Sequence, residues 1–169
     1  MRMSEWDRKE DSVLLVNKYA DIVLRLALAH VGNFADAQDV CQEVFIKLFN
    51  YQRPFNDKEH EKAWIIRVTI TTCRDVIRSP WKKWFSLVEE VPLPNYFIEN
   101  MEVLPVVLTL PRKYRVVIHL HYYEGYKTLE IAELLKVKES TIRTQLKRAK
   151  ELLRAKITGG FANDNRSKL

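Results

Sequence analysis

The sequence predicts an all-α fold of two small helical domains joined by a flexible linker. Three observations carry this. Apolar residues recur at helical spacing in both halves of the 169-residue chain. Five of the six prolines (Pro80, Pro92, Pro94, Pro105 and Pro111) fall between 80 and 111, where no helical period is sustained until about residue 100. The charge is also uneven: residues 1–79 hold 12 basic and 12 acidic side chains, residues 80–110 hold 2 and 4, and residues 111–169 hold 14 and 6. The expected organisation is a helical domain over 1–79, a linker over 80–100, a second helical domain over 101–158 and a disordered tail over 159–169.

In the first domain Leu15, Tyr19, Ile22, Leu26 and Ala29 share one face of a helix that Gly32-Asn33 ends. A second helix is expected from about Phe34 to Tyr51, with Ala37, Val40, Cys41, Val44 and Leu48 as its apolar arc, widened by Phe45 and Phe49. A third runs from about Lys58 to Ser79, where Pro80 stops it. β-branched residues crowd Ile65–Thr72, but Ile66, Ile70, Cys73 and Ile77 keep helical spacing over three turns. In the second domain a short helix near 100–109 precedes one over Arg112–Glu124. Gly125-Tyr126-Lys127 turns the chain, Thr128 caps a short helix Leu129–Leu135, and a long helix follows over Glu139–Ile157. Short helix, tight turn and longer basic helix is the layout of a helix-turn-helix.

Several classes of function are disfavoured. No apolar run is long enough to span a membrane, and the first residues have no apolar core of a secretory signal, so a cytoplasmic protein is expected. Cys41 and Cys73 have no metal-like spacing and read as buried thiols in a reducing compartment. The isolated glycines make no phosphate-cradling loop. His119 and His121, two residues apart on a helix, point to different faces and do not share a metal. No carboxylate pattern marks an acid–base pair. The expectation is a protein with no catalytic residues, no metal, no cofactor and no small-molecule substrate.

The last helix is more informative. Ile142, Leu146, Ala149, Leu153 and Ile157 form its buried stripe, while Ser140, Arg143, Thr144 and Lys147 face outward in its first turns and Arg148, Lys150 and Arg154 extend the positive charge. Small hydroxyl residues permit close approach, and arginine and lysine reach bases or phosphates, as a recognition helix requires. In the first domain Asp36, Asp39 and Glu43, with Gln38 and Gln42 beside them, form an acidic edge; Arg67, Thr71, Arg74 and Arg78 form a basic edge on the next helix. These are either solvated faces or mutual salt bridges, or a protein-binding surface beside a DNA-binding one. Trp64 and Asp75 lie next to the basic edge, where Trp64 fits the core or a stack on exposed bases.

At these residues the chain resembles a known family. Asp36-Ala-Gln-Asp-Val-Cys-Gln-Glu-Val-Phe-Ile-Lys-Leu-Phe49 resembles the polymerase-binding helix of bacterial extracytoplasmic-function sigma factors, and Ala63-Trp-Ile-Ile-Arg-Val-Thr-Ile-Thr-Thr-Cys-Arg-Asp-Val-Ile-Arg78 their promoter-melting helix. Leu110-Pro-Arg-Lys-Tyr-Arg115, His121-Tyr-Tyr-Glu-Gly125, Glu130-Ile-Ala132 and Ser140-Thr-Ile-Arg-Thr-Gln-Leu-Lys-Arg-Ala149 are similar to region 4 of that family. The resemblance covers about residues 10–158. It implies a region 2 bundle and a region 4 helix-turn-helix, and partners in core RNA polymerase (its clamp helices and flap), promoter DNA and an anti-sigma factor. Asp36, Gln38, Asp39, Gln42 and Glu43 would bind polymerase, and the loop from about Tyr51 to His60 would accept a flipped base. Trp64, Arg67, Thr71, Thr72, Arg74, Asp75 and Arg78 would serve the opened −10 element, and Ser140, Thr141, Arg143, Thr144, Lys147 and Arg148 the −35 element. Thr71 stands where the family usually has asparagine, so the amide's paired donor and acceptor are lost. Two alternatives are a dimeric helix-turn-helix regulator acting without polymerase and a helical interaction adaptor.

Overall fold

The computed structural model describes residues 5–51, 53–80 and 103–164. The chain divides into two compact units, Met1–Val91 and Pro92–Leu169. The regular structure of the described residues is entirely helical. Apart from Pro80, the expected linker over 80–100 lies outside the described residues, as do residues 165–169 of the expected tail.

In the first unit α1 (Glu5–Val31), α2 (Phe34–Phe49) and α3 (Lys58–Arg78) each pack on the other two. Val23, Leu26 and Ala27 of α1 meet Ala37, Val40 and Val44 of α2 and Ile65, Ile66, Ile70 and Cys73 of α3 in a core closed to water. Burying each large aliphatic side chain contributes about 1.5–3 kcal/mol. Packing of this size holds the β-branched run of α3 in a helix against its weaker propensity. Capping sets the boundaries. Gly32 takes a left-handed conformation, φ 84°, and donates its N–H to the Leu28 carbonyl at 2.9 Å, closing α1. Asn33 Oδ1 accepts the Asp36 N–H at 2.9 Å, and Asp57 Oδ1 accepts the His60 N–H at 2.7 Å. Phe49, expected in the apolar arc, is instead 47% exposed, one turn beyond the buried Phe45.

A polar tie joins α1 to α3. Glu61 Oε1 accepts from Lys18 Nζ at 2.6 Å and from the Tyr19 hydroxyl at 2.5 Å. Burial pushes the Glu61 carboxyl up, but the bonds from Lys18 and Tyr19 outweigh it and hold its pKa below the usual range. A depressed folded-state pKa gives stability that is present above the unfolded value, about 4.3, and lost as pH falls through the folded value. The Lys18 side chain is 44% exposed, so screening keeps the contribution to about 0.5–1 kcal/mol. The difference in urea midpoint between wild type and Glu61→Gln should therefore be present at pH 7 and shrink below about pH 4. A difference as large at pH 3 as at pH 7 would contradict the tie.

The second unit holds α4 (Leu104–Leu108), α5 (Arg112–Ile118), α6 (Thr128–Leu135) and α7 (Glu139–Asp164). The single helix expected over Arg112–Glu124 is not continuous: α5 runs into a π-helical turn, His119–Tyr123. There the Glu124 N–H reaches back five residues to the His119 carbonyl at 3.2 Å. His119 is buried, stacked on Tyr123 with ring centroids 5.4 Å apart, and its Nε2 lies 3.2 Å from Glu124 Oε1. His121 Nδ1 sits 2.9 Å from the Tyr126 carbonyl oxygen, which makes Nδ1 the protonated nitrogen. Gly125, φ 76°, then reverses the chain; a Cβ there would meet nothing within 4 Å, so only the backbone conformation asks for glycine.

Three further expectations are corrected. Thr128 is not the cap of α6 but its first residue. The Glu130 carboxylate takes the Lys127 N–H at 2.7 Å, leaving the Thr128 hydroxyl to donate to Glu139 Oε1 at 2.6 Å. The last helix does not end at Ile157 but continues through Gly159 and Gly160 to Asp164, so the expected tail begins as helix. Its buried stripe is shorter than the period suggests: Ile142, Leu146 and Ala149 are buried, Leu153 is half-buried and Ile157 is 40% exposed. At about 1.5 Å per residue, α7 outruns the short helices it packs against.

Candidate nucleic-acid and protein interfaces

The α6–α7 junction is a helix-turn-helix, its turn made by Lys136 in a left-handed conformation, φ 55°. With Ile142, Leu146 and Ala149 anchored below, Ser140, Thr141, Arg143, Thr144, Lys147 and Arg148 are all exposed. Glu139 Oε1 accepts from Arg143 Nη2 at 2.8 Å and Nε at 3.2 Å. The Thr128 hydroxyl and then Arg143 hold the Glu139 carboxyl below its usual pKa. The exposed end of α6–α7 thus carries one oriented guanidinium and a row of short hydroxyls. Beside it a cleft of about 360 Å³ is lined by Ser140, Thr141, Thr144, Gln145 and Arg148 of α7 and by Lys113 and Tyr114 of α5. Sequence reading missed Lys113 and Tyr114 as site residues; the only local sign was the basic Arg112-Lys113 pair at the start of α5.

On α3, Arg67, Thr71, Asp75 and Arg78 are exposed along one edge and Arg74 is half-buried. Thr72 does not belong to that edge. It is fully buried and accepts from Lys47 Nζ at 3.0 Å, because a step of one residue turns the side chain by about 100° toward α2. The Thr71 hydroxyl donates to the Arg67 carbonyl at 2.9 Å, so its oxygen is left chiefly as an acceptor. Trp64 is half-buried in an aromatic cluster, 4.6 Å from Tyr51 and 5.7 Å from Phe55 between ring centroids. Tyr51 and Phe55 stack at 4.9 Å, and His60 meets Phe55 edge-on at 5.6 Å. The cluster forms the base of the loop between α2 and α3.

On α2, Gln38, Asp39, Gln42 and Glu43 are exposed. Asp36 is half-buried and receives Asn33 Nδ2 at 2.7 Å, which binds its carboxylate into the helix start. The exposed row continues in two apolar residues, Ile46 (58% exposed) and Phe49, which the sequence pattern did not single out for a surface role. Cys41 lies on the same helix; burial pushes its thiol up to about 12, so it is not a reactive thiolate. In the second unit an apolar groove of about 470 Å³ is lined by Val107, Tyr122, Tyr123, Leu153 and Ile157, with Lys150 and Arg154 on its rim. Among the described residues no group of three His, Cys, Asp or Glu is placed to hold a metal.

The model of sigma-70 region 2 matches residues 15–83, and that of sigma-70 region 4 matches residues 101–153. The chain is 26% identical over 162 residues to the ECF RNA polymerase sigma factor SigW of Bacillus subtilis, covering 85% of this chain and 87% of that protein. It is 30% identical over 164 residues to the ECF RNA polymerase sigma factor SigE of Mycolicibacterium smegmatis, covering 90% and 61%. The chain belongs to the extracytoplasmic-function sigma factors of the sigma-70 family. The fold of this sigma factor is shared with the sigma factor RpoE of Bartonella quintana, solved in complex with the anti-sigma factor NepR. The TM-score is 0.69 at 16% identity, over 88% of this chain and 98% of that one. CnrH, solved with the cytosolic domain of CnrY, gives a TM-score of 0.58 at 20% identity over 89% and 90%. As a sigma factor the protein serves RNA polymerase in promoter-specific initiation of transcription. Among the described residues no helix is long and apolar enough to cross a membrane.

Proposed function

We propose that this sigma factor divides its work between three exposed helix faces. The outer row of α2, Gln38, Asp39, Gln42 and Glu43 with Ile46 and Phe49 beyond them, docks on the clamp helices of core RNA polymerase. The edge of α3, Arg67, Thr71, Arg74, Asp75 and Arg78, holds the opened −10 strand, and the loop over the Tyr51–Phe55–Trp64 cluster takes a flipped base. Ser140, Thr141, Arg143, Thr144, Lys147 and Arg148 of α7 enter the major groove at the −35 element, with Lys113 on a neighbouring phosphate. The apolar groove beside Lys150 and Arg154 receives the polymerase flap or, in the inhibited protein, an anti-sigma segment. The factor acts in the cytoplasm and has no catalytic activity of its own.

The observation that carries this reading is the separation of an acidic–apolar row on α2 from basic rows on α3 and α7, each exposed over a buried core stripe. The first domain, with equal numbers of acidic and basic groups, exerts little pull on DNA, whereas the last third of the chain is strongly basic. Held on one polymerase surface, two weak readers act at high effective concentration and become one selective reader. The cost of unstacking, roughly a few kcal/mol per flipped base, is offset by pockets for the bases and needs no nucleotide hydrolysis.

Co-elution with purified core polymerase on a sizing column tests the reading directly. Asp39→Ala should weaken that association about tenfold, ~1.4 kcal/mol, and leave binding of the free protein to duplex DNA unchanged. No co-elution of the folded wild type would overturn the assignment of α2. Equal loss of both activities in the variant would signal misfolding.

A further inference from the structure

Lys47 occupies a position that the division of labour does not use. Its ammonium lies 2.8 Å from Glu43 Oε1 on its own helix and 3.0 Å from Thr72 Oγ1 on α3. Glu43 belongs to the outer row of α2, 48% exposed at its side chain. Thr72 is closed to water and adjoins Thr71 on the −10 edge. One cation therefore bridges the face assigned to polymerase and the helix assigned to the opened promoter strand. A buried hydroxyl oxygen left without a donor is costly, so the Lys47 bond to Thr72 ties α3 to α2 at one point of a helix already seated by its core residues. That point adjoins Thr71, on the helix that also presents Arg67, Asp75 and Arg78.

The bridge is sensitive to what happens at Glu43. When a cationic group of a docking partner takes the Glu43 carboxylate, Lys47 loses its carboxylate acceptor and its remaining bond is to Thr72. Docking on α2 then biases Lys47 toward α3. A coupling of this kind is reciprocal: whatever docking does for the −10 strand, the strand does for docking.

We propose that Lys47 is a positioning residue that couples polymerase docking on α2 to presentation of the −10 edge of α3. The proposal rests on the assignment of α2 to polymerase and of α3 to the promoter, and its test separates the two. The readout is the affinity for a single-stranded −10 oligonucleotide of the free protein and of the complex with core polymerase, for wild type, Lys47→Met, and Lys47→Met combined with Thr72→Val. The double variant leaves no buried hydroxyl unpaired and keeps the packing volume, so the fold is retained even if Lys47→Met alone is destabilised.

Wild type should show the larger gain in affinity on joining core. In both variants that gain should fall about five- to tenfold, while association with core in the absence of DNA is unchanged. A purely structural role lowers free and core-bound affinities in step, and thermal stability with them; an unchanged gain in the double variant would overturn the coupling. If wild type fails to bind core at all, the functional reading falls and the coupling with it. If wild type binds core and the gain persists without Lys47, the reading stands and the coupling alone is wrong.

Discussion

Arg143→Ala and Lys147→Ala are each expected to weaken recognition of the −35 element by about 1–3 kcal/mol, roughly 5- to 150-fold, with little change in the stability of the protein. Arg143 is 68% exposed at its side chain, and its tie to Glu139 is a surface pair of small energetic value, so the guanidinium can leave that carboxylate for a guanine edge at little cost. Glu139 keeps its Thr128 partner when Arg143 departs, and the start of α7 stays fixed. Lys147 lies one turn further along the same exposed side, and its replacement should leave the buried Leu146 undisturbed. Lys113→Ala is the useful comparison. As a phosphate contact it should weaken binding to all sequences alike and reduce the salt slope by about 1, where Arg143→Ala relaxes preference at one position. Transcription from a promoter and its −35 point variants, with holoenzyme made from each protein, reads the difference. Unchanged initiation in both alanine variants would remove α7 from the −35 element.

Much of this arrangement is legible in the sequence, and the parts that are not share a cause. Asn33 and the glycine before it mark the start of α2, and Ile66, Ile70 and Cys73 announce the buried side of α3, because caps and helical periods are local. The exposed rows of α2 and α7 followed from the same periods. Thr72 escaped because a threonine beside the exposed Thr71 looks equally polar; only the approach of Lys47 from α2 shows where its hydroxyl goes. Lys113 and Tyr114 escaped because they reach the cleft beside Ser140 and Arg148 by tertiary packing of α5 on α7. Phe49 falls beside the apolar arc by its spacing, and only its exposure, with that of Ile46, moves it to a surface. The turn at His119–Tyr123 adds one residue to a single helical turn, too small a change to disturb an apolar period over so short a segment. Geometry between elements, rather than within them, is what the chain order leaves out.

The aromatic cluster under the α2–α3 loop yields the largest expected effect on the first unit. Trp64→Ala removes the ring that both Tyr51 and Phe55 lean on, and its removal should cost about 2–3 kcal/mol, less than the value for a fully buried tryptophan because Trp64 is only half-buried. A loop that has lost its base cannot hold an unstacked nucleotide in one place, so promoter opening should fail before duplex binding at −35 does. Permanganate reactivity of −10 thymines in the polymerase complex measures opening, and calorimetry of the free protein measures the loss of stability. Trp64→Phe separates the two contributions: it refills most of the cluster but removes the indole N–H. If Trp64 acts by supporting the loop, the phenylalanine variant regains both stability and thymine reactivity. If it contacts the strand through its N–H, stability returns and reactivity does not. An alanine variant as stable as wild type would mean that the cluster does not hold the loop at all.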